Sequence, residues 1–319
     1  MTCGGATCVP RRSALPEFSP PLVFQAGTPS LEQLVQQTNR SLRVERLASN
    51  TLTIDSPDLA YKLSGTFAWE RPHNMRLETK LFSSALGSPL AAGSNSQVFW
   101  LQVQRPSPTI YFASHNDFES QNGPRHVLPV SPLWLREAFG IVEMDPAGRH
   151  EGPRVRADGR LEVISNIPSP RGDYRRLLIM AAKTGTIEET MLYNQSGKLV
   201  AHARLSDHQY YSSIDWSLPH RIAVQLQPDV GPPLTFALDV GLYLVNEAPS
   251  SNSSFSFPDT AGLSTVDLVQ ANAQMQADQS QIHAPLPSIQ HNPVVPNPPA
   301  YRSAQGDSRN SGWQGYTIR

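Results

Sequence analysis

The sequence has few cysteines, few charges and no long apolar run. Its two cysteines, Cys3 and Cys8, both lie within the first eight residues, so no disulfide can cross-link the later chain. No apolar run approaches the roughly 20 residues that a membrane-spanning helix needs. Only 17% of the 319 residues are charged, and the net charge is −1. Because this composition provides no basic field for a phosphate backbone, we expect no nucleic-acid partner.

The sequence also lacks the short motifs that are typical of enzymes. It contains no Gly-x-Ser-x-Gly, phosphate-binding glycine loop or dinucleotide fingerprint in a suitable context. His202 and His208 have neither the helical spacing nor the cysteine neighbours of a zinc site, so no metal and no cofactor is expected. The prediction is that the protein is not an enzyme. A hydrolase that uses His202, Asp207 and His208 stays open as a minor alternative.

What the sequence does contain is a repeated alternation of apolar and polar side chains. From Tyr61 to Trp69 the odd positions carry most of the large apolar groups, which predicts a strand with one apolar face. About ten such segments follow one another with hairpin-length connections and are interrupted by two helices. The pattern predicts a mainly β (α+β) fold, in which helices cover the concave face of one curved antiparallel half-barrel sheet.

The two predicted helices begin at clear capping signals. Ser30 is spaced from Gln33 as in a capping box, and an apolar stripe follows at helical spacing. Ser131 is the expected N-cap of the second helix, which ends near Gly140. This second helix is apolar around most of its circumference, so it must be buried or must plug a cavity.

Proline and polar residues divide the chain into three regions. Residues 1–27 are rich in proline and predict a disordered leader or tether. Residues 28–268 carry the apolar patterning of one folded domain. Residues 269–319 are rich in glutamine, asparagine and proline, which predicts a disordered tail. Within the domain, Ser83–Ser96, His115–Asp117 and Asp145–Gly159 are predicted to be loops or turns.

The predicted sheet offers more apolar concave surface than two helices can cover. A dimer partner, loops or an acyl chain could fill the remaining space, and a cavity lined by hydrophobes with a few polar groups at its rim is the usual form of a ligand site. The alternative is that these residues form an ordinary core. The candidate cavity wall consists of Phe67, Trp69, Leu77, Phe99, Leu101, Trp134 and Phe139.

Several of these segments resemble, in order, the periplasmic lipoprotein-carrier family (LolA/LolB and relatives). The segments are the first helix, Leu63–Pro72 with its Trp-Glu-Arg-Pro, Gly93–Trp100, the turn Asn194–Lys198, Leu218–Ile222 and Val245–Glu247 followed by Phe255–Pro258. The resemblance implies an unclosed half-barrel whose concave face, under a helical lid, accepts the acyl chains of a lipid or lipoprotein. It also implies that Arg71, the arginine of the Arg-Pro pair, holds the lid shut. A solvated arginine at a strand end is the alternative for Arg71.

The resemblance also leads to an expectation about cellular location. A cell-envelope protein, periplasmic or held at the membrane by a lipid, would need a signal peptide ahead of Met1, and Cys3 is then the candidate for lipidation. Two free thiols in a leader are the alternative. A protein-interaction module or envelope sensor of the same fold, with the proline-rich tail as its functional part, remains a second hypothesis. The ligand, the true start and the oligomeric state stay open.

Overall fold

Alternating side chains in the first half of the chain form six consecutive strands. The computed structural model describes residues 19–25, 27–80, 89–104, 107–247 and 255–282. Helix α1, Leu31–Asn39, precedes the strands and continues as a 3-10 turn over Arg40–Arg43. The six strands are β1 Arg46–Asp55, β2 Leu63–Glu70, β3 Asn74–Lys80, β4 Leu90–Ser94, β5 Val98–Val103 and β6 Thr109–Ser114.

Two short helical segments separate the two halves of the sheet. Helix α2 covers His115–Ser120, and a 3-10 turn, Pro132–Trp134, leads into α3, Leu135–Ala138. We call residues 132–140 the lid. The second half contains β7 His150–Val155, β8 Leu161–Ile167, β9 Tyr174–Met180, β10 Ile187–Tyr193, β11 Leu199–Tyr211, β12 Trp216–Leu226, β13 Leu234–Val240 and β14 Leu244–Val245, and the chain then continues through β15 Ser264–Asp267 into α4 Leu268–Ile282.

All 15 described strands join one curved sheet that does not close. Its strand order is β15-β6-β5-β4-β3-β2-β1-β13-β12-β11-β10-β9-β8-β7, with β14 beside β1. The two halves meet where Leu52 of β1 pairs with Val240 of β13. Every pairing is antiparallel except that of β15 with β6, in which Ser264 lies opposite Thr109. The fold class predicted from the sequence, an unclosed antiparallel half-barrel with helices over its concave face, is confirmed.

The capping signals position both predicted helices. The Ser30 hydroxyl accepts a hydrogen bond from the Gln33 amide, and the Gln33 side chain accepts one from the Ser30 amide, so the capping box is confirmed. The Ser131 hydroxyl caps the lid by accepting a hydrogen bond from the Leu133 amide. Gly140 ends the lid with a φ of +75°, where a Cβ would lie only 3.2 Å from Pro219. This close approach lets the lid pack directly on the sheet.

Three of the predicted loops contain regular structure. The predicted loop Ser83–Ser96 includes β4, because Gly93 has no side chain and the Trp100 ring occupies the space that a Cβ would need. Residues 81–88 lie outside the described residues. The predicted turn at His115 instead starts α2, which the Ser114 hydroxyl caps. The predicted loop Asp145–Gly159 contains the edge strand β7, which is too polar to show an apolar pattern.

The structure also extends beyond the predicted ends of the domain. Helix α4 makes residues 269–282 helical, although their composition predicts disorder, and Leu268 at its start is buried. In the predicted leader, the amides of Val23 and Phe24 both donate to the Lys183 carbonyl. Tyr61, placed on the apolar face by its spacing, precedes β2 and is exposed. The disorder of residues 283–319 stays a prediction.

Candidate functional site

A cavity of about 290 Å³ lies between the concave face of the sheet and the lid. Its volume is close to the lower end of the roughly 300–1,000 Å³ range of ligand pockets. Strands from both halves of the sheet contribute to its wall, and nearly all of the side chains that face it are apolar. The wall includes Ile54, Phe67, Met75, Leu77, Leu90, Ala92, Phe99, Trp100, Leu101, Tyr111, Val127, Leu128, Val130, Trp134, Leu135, Phe139, Leu226, Leu234, Phe236, Leu238 and Leu268.

Six of the seven residues predicted for the cavity wall surround this space. They are Phe67, Leu77, Phe99, Leu101, Trp134 and Phe139, whereas Trp69 is buried but does not line the cavity. Trp69 follows Phe67 by two positions along β2, so it faces the same side of the sheet but lies beyond the end of the cavity. Its ring instead faces the Arg71 guanidinium, 5.8 Å from the ring centroid. That these residues contact a ligand stays a prediction.

The lid closes the cavity partly by aromatic stacking. The Phe139 ring stacks on Phe67 of β2 with 4.4 Å between ring centroids. The Trp216 indole donates to the carbonyl of Gly140, which fixes the end of the lid on β12. The lid therefore fills part of the concave face and leaves the remaining apolar volume as the cavity.

The sequence interpretation missed several parts of the wall. Val127, Leu128 and Val130 lie in a connection without helical or strand periodicity, and they pack beside the cavity. Arg125, a fully buried residue, holds this connection in place by donating to the carbonyls of Pro129 and Phe118. A charged residue within an irregular segment gave no signal of burial, because arginine is rarely buried without partners.

The cavity has a small polar rim where the β1–β2 and β12–β13 connections meet. The Ser56 hydroxyl donates to the Thr235 carbonyl at 2.7 Å, and Asp58 lies beside them. Leu59 and Leu234 line this rim, and each is 37% exposed. The apolar wall thus reaches the protein surface between two strand connections.

A buried ion pair attaches the lid to the sheet. Arg176 of β9 donates from Nη1 to Oε1 of Glu137 in the lid at 2.8 Å, and its Nη2 donates to the Glu143 carbonyl. The Thr190 hydroxyl approaches the second Glu137 oxygen at 3.4 Å. Sequence reasoning missed this pair, because its members lie 39 positions apart and neither belongs to a motif.

Arg71, the predicted latch, has a different partner. Its Nε donates to the Val44 carbonyl at 2.9 Å, at the start of the sheet rather than in the lid. Burial lowers the pKa of Arg71, and so does the nearby charge of Arg136, which belongs to the lid. Among the described residues, hydrogen bonds link the lid to the sheet through Glu137 and through the Gly140 carbonyl, and a latch function of Arg71 stays a prediction.

The residues of the hydrolase alternative do not come together. His202 and His208 both lie on β11, six positions apart, which corresponds to about 20 Å along a strand. His202 contacts the Glu189 carboxylate at 3.1 Å, whereas His208 contacts the Ile187 carbonyl. The described residues contain no group of three or more His, Cys, Asp and Glu that could hold a metal ion.

A second group of titratable side chains lies under the end of the lid. The Tyr211 hydroxyl lies 3.0 Å from Nε2 of His220, whose Nδ1 contacts the Val240 carbonyl. Burial raises the pKa of Tyr211 to about 12 and lowers that of His220. Both groups are therefore neutral near pH 7, as expected for hydrogen-bonded core residues. None of the helices in the described parts of the chain is long and apolar enough to span a bilayer.

Comparison with known proteins gives matches among solved structures. No protein-family model matches the chain, and no curated protein matches it. A LolA superfamily protein from Nitrosomonas europaea aligns at 12% identity over 73% of this chain and 99% of its own, with a TM-score of 0.43. A DUF1329 family protein from Desulfovibrio piger aligns at 10% identity over 70% and 97%, with a TM-score of 0.46.

A third solved structure, a putative outer membrane lipoprotein-sorting protein domain from Vibrio parahaemolyticus, aligns at 10% identity. The alignment covers 70% of this chain and 95% of that domain, with a TM-score of 0.45. The sheet itself carries the assignment of the fold. Its strand order, its two free edges and the helical lid over its concave face give the unclosed half-barrel that the sequence resemblance implies.

Proposed function

We propose that this protein binds one acyl chain of a lipid or lipoprotein in the cavity beneath the lid, without catalysing a reaction. The observation that carries the proposal is the cavity itself, an apolar space of about 290 Å³ that the protein's own side chains leave unfilled. Apolar space of this kind favours a hydrocarbon over water, because water there would lack polar partners. The small volume favours one chain over two.

The binding energy would come from apolar burial and would depend on chain length. Each buried methylene contributes about 0.8 kcal/mol. Two further methylenes therefore strengthen binding by more than about tenfold. This gain should stop once the chain exceeds the cavity, and the length at which it stops reports the usable depth.

The rim provides a route by which such a chain could enter. Leu59 and Leu234 are partly exposed at the end of the apolar wall. An acyl chain that enters here keeps contact with hydrocarbon along its path, whereas entry through the lid requires the Glu137–Arg176 pair to separate. We infer that loading begins at the rim.

A titration with primary alcohols of 8 to 16 carbons tests the proposal. Ala92 lines the cavity, so Ala92→Trp should fill it and weaken the binding of every alcohol. Ala223→Trp places the same indole on the exposed face of β12 and serves as the matched control. Native mass spectrometry and calorimetry provide the readouts. The proposal fails if the wild-type protein takes up no alcohol, or if both variants bind like the wild type.

The cellular role that follows is a carrier or receptor for acyl chains in the cell envelope. The supporting observations are the cavity and the sequence resemblance, both of which fit a protein that shelters hydrocarbon from water. Cys3, the lipidation candidate, lies outside the described residues. Acylation of Cys3 and location in the envelope are therefore part of the proposal.

A further inference from the structure

A second cavity, of about 330 Å³, lies on the other side of the lid from the acyl-chain cavity. Its wall includes His115, Glu119, Arg136 and Glu137. Val130, Ser131 and Trp134 line both cavities, so only this segment of the chain separates the two spaces. The second cavity differs from the first because charged side chains, Glu119, Arg136 and Glu137, belong to its otherwise largely apolar wall.

Several nitrogen atoms are buried without a hydrogen-bond partner among the described residues, on His115, Trp134 and Arg136 of the cavity wall and on two residues outside it, Arg71 and His73. We call the five residues that carry them the lid junction. The unpaired atoms are Nη2 of Arg71, Nδ1 of His73, Nδ1 of His115, Nε1 of Trp134 and Nε of Arg136. Burying a polar nitrogen without a partner is unfavourable, and more so for a charged group. The N–H donors among them, on Arg71, Trp134 and Arg136, would be satisfied by a partner that brings its own acceptors.

These residues come from different elements and meet beside the lid. The rings of His73 and His115 have their centroids 5.5 Å apart, which links the β2–β3 connection to the start of α2. Arg71 belongs to the same connection as His73. Arg136 lies close enough to lower the pKa of Arg71 through its charge. The lid junction therefore combines Arg136, in the wall of the second cavity, with Arg71 of the β2–β3 connection.

Neither of the two arginines forms an ion pair with a described carboxylate. The acidic groups nearby are engaged or exposed: Glu137 pairs with Arg176, and Glu119 lies 3.8 Å from Arg125. Glu45 and Glu143 attract the Arg71 charge from the surface, but burial and Arg136 outweigh them. Two neighbouring cations without a counter-ion are the electrostatic arrangement that an anion stabilises.

We propose that the lid junction binds the anionic head group, a carboxylate or a phosphate, of the lipid whose chain occupies the apolar cavity. This inference rests on the proposed function, because it assigns the head group of the same ligand. The arginine and indole N–H groups would donate to the head-group oxygens. Trp134 lies at the boundary and contacts both spaces, so chain and head group could bind on its two sides.

Three dodecyl compounds that differ only in the head group test the assignment. Dodecanol, dodecanoate and dodecyl phosphate are titrated into the full-length protein by calorimetry, below the concentrations at which they form micelles. We expect the two anions to bind at least about tenfold more tightly than dodecanol. In the double variant Arg71→Gln, Arg136→Gln this advantage should vanish, while the affinity for dodecanol stays unchanged and shows that the cavity is intact.

Two further variants keep the test specific. Arg71→Lys, Arg136→Lys retains the charge and should recover part of the advantage, whereas Arg221→Gln, on the exposed face of β12, should change nothing. Inorganic phosphate is titrated alone, and its affinity is compared with that of dodecyl phosphate. The comparison shows whether the site binds a lipid head group or a free anion.

Each remaining outcome would overturn the inference. Equal affinity for all three compounds removes the head-group site but leaves the acyl-chain proposal standing. Inorganic phosphate that binds as tightly as dodecyl phosphate assigns the site to a free anion. If none of the dodecyl compounds binds, both the acyl-chain proposal and the head-group assignment fail.

Discussion

Arg176 on β9 and Glu137 in the lid form an ion pair with a 2.8 Å contact, and their side chains are only 3% and 12% exposed. A pair at this depth is sensitive to loss of one member, because the other charge is then left in a poorly solvated place. The same arginine also donates to the Glu143 carbonyl just beyond the lid. Arg176 thus links the sheet to Glu137 in the lid and to Glu143 just beyond the lid.

Glu137→Gln should destabilise the protein by about 3 kcal/mol, because it leaves the Arg176 charge buried without its counter-ion. The free energy of unfolding, measured by chemical denaturation, checks this value. Amide hydrogen exchange in the lid should accelerate as well. Glu143→Gln is the matched control: it alters an exposed carboxylate but keeps the carbonyl that Arg176 contacts, so it should change stability by less than about 0.5 kcal/mol. Equal effects of the two substitutions would refute an anchoring role for Glu137.

The stability of the sheet should fall in acid, partly because of Glu189. Burial by itself raises the pKa of Glu189, but hydrogen bonds from Arg160 at 2.8 Å and His202 at 3.1 Å outweigh burial and lower the pKa. Because the pKa is lower in the folded state, this contribution is complete above the unfolded value of about 4.3 and is lost as the pH falls through the folded value.

Glu189→Gln should therefore flatten the dependence of the denaturation midpoint on pH below about 4.5. The exposed residue Glu32 provides the control, since Glu32→Gln should leave the slope unchanged. Denaturation curves recorded between pH 6 and pH 3 give the comparison. An identical slope for the wild type and Glu189→Gln would show that the carboxylate gains nothing from these partners.

Truncation should distinguish helix α4 from the residues that follow it. Removing residues 283–319 should leave the binding of dodecanol intact, because α4 remains. Removing residues 269–319 should weaken it, because Asn272 of α4 accepts a hydrogen bond from the His126 amide in the connection that walls the cavity. Calorimetry on both truncated proteins makes the comparison. Loss of binding in the shorter deletion would favour the hypothesis that the proline-rich tail is the functional part.

Acylation of Cys3 should add a mass to the protein isolated from its native cells. Cys3→Ser should abolish this added mass and release the protein from membranes, whereas Cys8→Ser, five positions later, should do neither. Intact-mass spectrometry of the membrane and soluble fractions provides the measurement. An unmodified wild-type mass, or the same result for both substitutions, would exclude Cys3 as the lipidation site.

Local alternation predicted much of the sheet, and its failures have physical reasons. β2 follows the pattern closely, with Leu63, Phe67 and Trp69 buried on one face. β4 escaped prediction because small residues dominate it, and Gly93 is required by the close approach of Trp100. Polar edge strands such as β7 face little apolar surface, so their sequence carries no alternation.

The candidate site was predictable only where it lies on regular elements. Phe67, Leu77 and Phe99 follow from strand alternation, and Trp134 and Phe139 from an unusually apolar helix. The Glu137–Arg176 pair and the cavity-lining residues Val127 and Leu128 depend on contacts between distant segments. No local pattern encodes such contacts, because they arise only once the curved sheet brings its two halves together.

The pairing of β15 with β6 has a consequence for synthesis on the ribosome. Ser264 must find Thr109, more than 150 positions earlier in the chain, before this edge of the sheet is covered. Until β15 has left the ribosome, the backbone amide and carbonyl groups on this edge of β6 have no strand partner. Such an edge is a template for pairing with another chain. The growing polypeptide should therefore need shielding by a chaperone at this edge until β15 has been synthesised.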